Sequence, residues 1–172
     1  KESIQSIMRD VIIALVPATA AGIYYFGINA LILIIAAIAS SVVFEALCQK
    51  AMKKPVTVSD LSAVVTGLLL AMNLPAAAPV WVAIVGSAFA IIFGKQLFGG
   101  LGQNFINPAL AGRAFLLASY PTEMTTWSVP NGLEVADAAT YATPLAQLKA
   151  GNLEASLGEL VLGQCGGTIG ET

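Results

Sequence analysis

Hydrophobic and polar positions are segregated in long blocks along this chain. No charged residue lies between Asp10 and Glu45, and none between Asp60 and Lys95; each gap holds 34 residues. A single helix of that length would reach about 51 Å at 1.5 Å per residue, well beyond a hydrocarbon core of about 30 Å. Each run is therefore expected to double back as a hairpin of two spans. Breaks sit near both midpoints: Gly27-Ile28-Asn29 in the first run, and Asn73-Leu74-Pro75 followed by Pro79 in the second. The pattern predicts four spans, roughly 10–26, 30–48, 59–72 and 79–98. The third is short, with Ser59 and Asp60 as candidate caps. Pro17 is expected to kink the first, which membranes tolerate.

A fifth, shorter apolar segment runs over 108–120. Asn107 suits its N-cap and Pro108 its first helical position. It carries Arg113, and a short helix with an internal arginine and a glycine-rich approach is expected to line an interior site as a half-helix. The fold class predicted is all-α: a polytopic transmembrane helical bundle with a short half-helix and an extracytoplasmic loop segment. Residues 1–122 would hold the four spans and the short segment. Residues 123–172 would form an extracytoplasmic loop leading to a further membrane half. The chain runs from Lys1 to Thr172 within a glycine-rich stretch and reads as a piece of a longer protein. Its first segment does not read as a signal peptide, because the apolar run is too long and no small-residue cleavage pattern follows.

Composition agrees with a membrane setting. Of 172 residues, 57% are hydrophobic and 10% charged, where a soluble domain carries about 25% charged. Mean hydropathy is +0.81. A net charge of −2 leaves no basic stripe for nucleic acid. The chain has no histidine, which removes imidazole catalysis and histidine-ligated haem or metal. Cys48 and Cys165 cannot by themselves ligate an iron–sulfur cluster and are expected to be small buried apolar side chains. No catalytic residue and no metal site is expected. Lys1, Arg9, Lys50, Lys53, Lys54 and Lys95 fall at one end of the predicted hairpins, whose tips are uncharged. By the positive-inside rule that end is cytoplasmic. Glu45 and Asp60 flank the basic loop and are expected at the interface. After Tyr120 the chain carries Glu123, Glu134, Asp137, Glu154 and Glu159, in keeping with the opposite side.

Three segments are candidates for chemistry. In Phe98-Gly-Gly-Leu-Gly-Gln-Asn-Phe-Ile-Asn-Pro, glycines allow a close approach to a planar ligand. Asn104 and Asn107 each offer an amide donor and acceptor of the kind that holds an isoalloxazine or quinone edge. The helix N-terminus beyond them would favour an anionic ring. The same pattern also suits a plain glycine-rich turn with asparagine caps. Asp137-Ala-Ala-Thr-Tyr-Ala-Thr-Pro-Leu reads as an Asp/Thr-rich loop, with Thr143 capping a helix that starts at Pro144. Gly163-Gln-Cys-Gly-Gly-Thr-Ile-Gly-Glu-Thr suits either a backbone nest for phosphate or a close-packing loop.

Four stretches together resemble the RnfD/NqrB family of membrane subunits of ion-translocating redox complexes. They are Lys54-Pro-Val-Thr-Val-Ser-Asp-Leu-Ser-Ala-Val-Val-Thr-Gly-Leu-Leu-Leu, Gly99-Gly-Leu-Gly-Gln-Asn-Phe-Ile-Asn-Pro-Ala-Leu-Ala-Gly-Arg-Ala-Phe, Asp137 with Ala142-Thr143-Pro-Leu, and Gly166-Gly-Thr-Ile-Gly-Glu-Thr. They occur in family order over nearly the whole chain. The opening Arg9-Asp-Val-Ile-Ile-Ala-Leu-Val-Pro-Ala is closer to the RnfD branch.

The resemblance implies an FMN bound covalently through its phosphate to Thr143, attached by a flavin transferase that reads a motif including Asp137 and Thr140. Tyr141 stands where the family often has glycine. The resemblance also implies a noncovalent riboflavin held partly by Asn104 and Asn107, and Arg113 joins them as a cofactor-site candidate. The family implies an electron-transfer subunit of a complex in the bacterial cytoplasmic (inner) membrane. That complex couples ferredoxin oxidation and NAD⁺ reduction to Na⁺ or H⁺ movement. Expected partners are the other subunits, including iron–sulfur subunits and a second covalent-FMN subunit, together with the transferase and membrane lipid. The alternatives are the B subunit of the Na⁺-translocating NADH:quinone reductase, and a flavin-free transporter or channel.

Overall fold

A computed structural model describes residues 3–128, 144–151, 158 and 166–170 of the chain. The described part is all-α. Helix α1 spans Ile4–Ala51, α2 Ser62–Met72, α3 Val80–Ile92, α4 Pro108–Ser119, α5 Pro121–Thr125 and α6 Pro144–Ala150, with 3₁₀ turns at Val58–Asp60 and Gln96–Phe98. Two segments, Ile4–Ala51 and Val80–Phe98, are long and apolar enough to cross a bilayer.

The first expected hairpin is present, but its turn is tighter than the predicted Gly27-Ile28-Asn29. Within α1 only Gly27 leaves helical geometry, at φ 68 and ψ −151. Glycine reaches that conformation without a Cβ penalty. Leu15 lines one cavity with Leu69, while Ala37 lies against Gly67. On a straight helix Leu15 and Ala37 would be about 33 Å apart at 1.5 Å per residue. Gly67 and Leu69 are neighbours, so limbs 4–26 and 28–51 fold back towards each other about Gly27.

The second limb carries the core stripe. Ala30, Leu33, Ile34, Ala37, Ser41, Glu45 and Gln49 are buried at three- and four-residue steps, one face of a helix. Against it pack α2, running back from 62 to 72, and α3. Close approach depends on glycine: a Cβ on Gly67 would lie 2.6 Å from the Ala37 carbonyl oxygen. Helix α4 returns antiparallel to α3. Gly112 meets Gly86, Phe115 stacks on Phe89 at 4.2 Å, and Tyr120 meets Trp81 at 5.0 Å. The first and last turns of α4 thus lie beside opposite ends of α3.

The other local predictions compare directly. Asn107 caps α4, its Oδ1 accepting from the amides of Ala109 (2.9 Å) and Leu110 (3.4 Å), and Pro108 opens the helix. Helix α2 starts at Ser62 rather than Ser59, because Leu61 turns left-handed (φ 63). Asp60 Oδ1 accepts from the Ser62 amide at 2.8 Å. Helix α6 opens at Pro144 as expected. Within the third glycine-rich segment, residues 166–170 are a close-packing element. Ile169 and Gly170 donate their amides to the carbonyls of Leu74 and Met72, and buried Ile169 lies against Gly22.

Candidate functional site

The loop from Lys95 to Asn107 joins α3 to α4. Gly99, Gly100 and Gly102 all have positive φ, and a Cβ on Gly100 or Gly102 would meet nothing within 4 Å. Gly102 is exposed and presents bare backbone against which a flat ring can lie, whereas Gly100 is buried. Phe105 is 80% exposed and meets Phe98 edge-on at 4.8 Å. Asn104 donates from Nδ2 to the Ile106 carbonyl (2.8 Å), which leaves its Oδ1 as an acceptor. Asn107 spends Oδ1 on the helix cap and keeps its Nδ2 donor. The pair thus offers one acceptor and one donor, the complement of the N–H and C=O groups on the pyrimidine edge of a flavin. The amides of Ala109 and Leu110 at the α4 N-terminus are already held by Asn107. The loop residues therefore suit a neutral flavin through side-chain amides and open backbone, with an apolar rim for the dimethylbenzene end.

Arg113 lies elsewhere, midway along α4. Its Nη1 donates to Asn73 Oδ1 at 2.7 Å, and Asn73 is itself oriented by donating Nδ2 to the Leu69 carbonyl at 2.8 Å. Both side chains line a cavity of about 360 Å³ together with Leu15, Leu69, Met72, Thr168 and Gly170. Among the described residues no carboxylate pairs with Arg113. The structure thus separates Arg113 from the Asn104–Asn107 loop. Asn73, read in the sequence only as a turn residue, becomes its partner. Asp137, Thr140 and Thr143 lie outside the described residues, as does Cys165. Cys48 is a free, partly buried thiol.

The third feature is a buried charge pair that the sequence reading did not foresee. Glu45 was expected at the interface beside Lys50–Lys54, and Lys95 among the basic residues marking one face. Both are buried, 1% and 2% exposed, because Glu45 lies on the core stripe of α1 and Lys95 at the foot of α3. Lys95 Nζ donates to both Glu45 oxygens (2.7 and 2.8 Å) and to Ser62 Oγ (2.6 Å). The Ser62 hydroxyl donates in turn to Asp60 Oδ1 at 2.5 Å. Glu45 Oε1 also accepts from Gln96 Nε2 (3.0 Å) and Gln49 Nε2 (3.2 Å). All three ammonium hydrogens are used, and the carboxylate accepts four bonds. Such saturation is what lets a charge pair persist away from water. One signal was available in the sequence. Both charge-free runs have the same length, and each ends in a charge of opposite sign. If the two return limbs pack side by side, those charges meet.

Comparison with known proteins gives the context. The family model described as "NQR2, RnfD, RnfE family" matches residues 1–172. The chain is 60% identical over 151 residues, 88% of its length, to the D subunit of the Na⁺-translocating ferredoxin:NAD⁺ oxidoreductase complex of Acetobacterium woodii, covering 46% of that protein. It is 45% identical over 181 residues, 99% of its length, to the D subunit of the proton-translocating ferredoxin:NAD⁺ oxidoreductase complex of Clostridium ljungdahlii, covering 54%. It is 38% identical over 206 residues to the D subunit of the ion-translocating oxidoreductase complex of Stutzerimonas stutzeri, covering 57%. The chain spans about half the length of these curated relatives.

Proposed function

This chain belongs to the NQR2, RnfD, RnfE family, and on that footing we propose that it carries flavins and passes electrons within the D subunit of an Rnf-type complex. The relatives quoted above are D subunits, two of them named for ferredoxin:NAD⁺ oxidoreductase complexes, which favours this branch over the quinone reductase. The complex resides in the bacterial cytoplasmic membrane and couples electron flow from ferredoxin to NAD⁺ to movement of Na⁺ or H⁺. This chain spans the membrane several times. It depends on sister subunits for ferredoxin and NAD⁺ binding, for iron–sulfur clusters and for a second covalent FMN.

The observation that carries the flavin reading is the pair of side-chain amides in the glycine-rich loop. Asn104 Oδ1 and Asn107 Nδ2 remain for a ligand after their local bonds are made. They hold the pyrimidine edge of riboflavin, and exposed Gly102 offers backbone without a Cβ in the same loop. Thr143 supplies the hydroxyl to which the flavin transferase joins FMN, with Asp137 and Thr140 in the recognised motif. Arg113, held by Asn73, places a fixed positive charge at the cavity that opens next to the 168–170 segment. The bound flavins supply the redox chemistry; the protein supplies attachment, orientation and spacing. The basic end of the bundle faces the cytoplasm, and residues after Tyr120 face the other side. The two flavins then lie towards opposite membrane faces.

The test is flavin extraction from the full-length protein, coexpressed with its transferase. Acid is expected to release riboflavin and to leave FMN on the polypeptide. Asn104→Ala with Asn107→Ala is expected to remove the first and spare the second. Wild-type protein free of both flavins would instead support a flavin-free transporter.

A further inference from the structure

We propose that Lys95 is a positioning residue for the noncovalent flavin, fixing the 99–107 loop through its buried pair with Glu45; this rests on the reading that the loop holds that flavin. The loop begins where the charge cluster ends. The Lys95 carbonyl accepts from the Gly100 amide and the Gln96 carbonyl from the Gly99 amide, both at 3.1 Å. The backbone of these two residues therefore forms the first turn of the loop, while both of their side chains end on Glu45.

The far end of the loop returns to the same place. A Cβ on Gly94 would lie 3.0 Å from Pro108 Cα, so the residue before Lys95 touches the residue after Asn107. The neck of the loop is closed at the charge pair. Between the two ends the chain has three positive-φ glycines, and its own contacts are local: a turn from Gln103 to the Gly100 carbonyl at 3.3 Å, the Asn104–Ile106 bond at 2.8 Å and the Phe98–Phe105 edge contact. Such contacts shape the loop from within but do not place it against the helices. Its placement is inherited from the neck.

The neck is held in an all-or-none manner. Lys95 bridges three elements, since Glu45 is on α1, Ser62 opens α2 and Lys95 follows α3. Removing the ammonium leaves a buried carboxylate without its counter-charge, which favours rearrangement over a small adjustment. The pair is buried within the protein, and its reach extends to the loop rather than to solvent.

The experiment uses the full-length protein in its complex, coexpressed with the transferase, and reads two quantities. One is acid-extractable riboflavin per covalent flavin. The other is amide hydrogen exchange of 99–107 relative to 80–92, which needs no flavin. Lys95→Met is expected to lower extractable riboflavin at least tenfold and to speed exchange in 99–107, with the covalent flavin retained. Lys95→Arg is expected to restore most of both. Gln96→Leu removes one bond to Glu45 without stranding a charge, and is expected to lower riboflavin several-fold even if Lys95→Met does not accumulate. Wild-type riboflavin content in Lys95→Met or in Gln96→Leu overturns the proposal. So does unchanged loop exchange in Lys95→Met. Absence of extractable riboflavin from the wild type overturns the flavin reading of the loop instead, with loop exchange still testing the anchor.

Discussion

Asn107 divides one amide between two tasks. Its oxygen caps α4 and its nitrogen is left for a ligand. The two can be separated by substitution. Asn107→Ala removes both and is expected to cost about 1 kcal/mol of stability, the usual worth of an N-cap. Asn107→Asp keeps a capping oxygen and loses the donor, so it is expected to melt close to wild type while binding less riboflavin. Thermal unfolding and flavin extraction on the same preparations check this. The cap was legible in the sequence because Asn-Pro before an apolar run is a local signal. The Glu45–Lys95 pair left only an indirect trace, the equal length of the two charge-free runs, because its members are 50 residues apart and each alone looks like an interfacial charge. Arg113 was legible as an interior residue, but its partner Asn73 was hidden behind the equally good reading of Asn-Leu-Pro as a turn.

At the level of elements, the close approach of α2 to the second limb of α1 depends on Gly67. A Cβ there would meet the Ala37 carbonyl oxygen, Ile38 Cα at 2.8 Å and Ser41 Oγ at 2.9 Å, two of which are backbone atoms that cannot turn aside. Gly67→Ala is therefore expected to destabilise the bundle by about 1–3 kcal/mol, the range for overpacking a tight core. A lowered thermal midpoint in detergent checks it. Ala lies among good helix formers, so a gain in stability would show that the two helices are not packed this closely. Charge-free run length and mid-run breakers were enough to predict two hairpins, since bilayer thickness sets a hard limit on helix length. They did not show how the chain turns. One left-handed glycine suffices at residue 27, whereas the sequence reading used three residues. Nor did they show which helices touch, because small residues at contacts look unremarkable along an apolar chain.

For the molecule as a whole, much of the outer surface is apolar. Ile13, Val16, Ile28, Ile35, Val43 and Leu47 on α1 are all exposed, a surface suited to lipid or to neighbouring protein rather than water. Lys50, Lys53 and Lys54 gather at one end of the bundle, and α4 ends at the other beside Trp81. If the basic end is cytoplasmic, Lys53→Cys in intact cells is expected to resist a membrane-impermeant maleimide and Thr122→Cys to react with it. The reverse pattern would invert the orientation and move the 99–107 loop to the outer face. The proposed function makes this chain a flavoprotein joined to its cofactor at Thr143. A denaturing gel of the full-length protein, coexpressed with its flavin transferase and viewed under ultraviolet light, tests it most directly. A flavin-fluorescent band is expected in the wild type and is expected to disappear in Thr143→Ala at equal protein. A dark wild-type band, or a band that persists in Thr143→Ala, would contradict it.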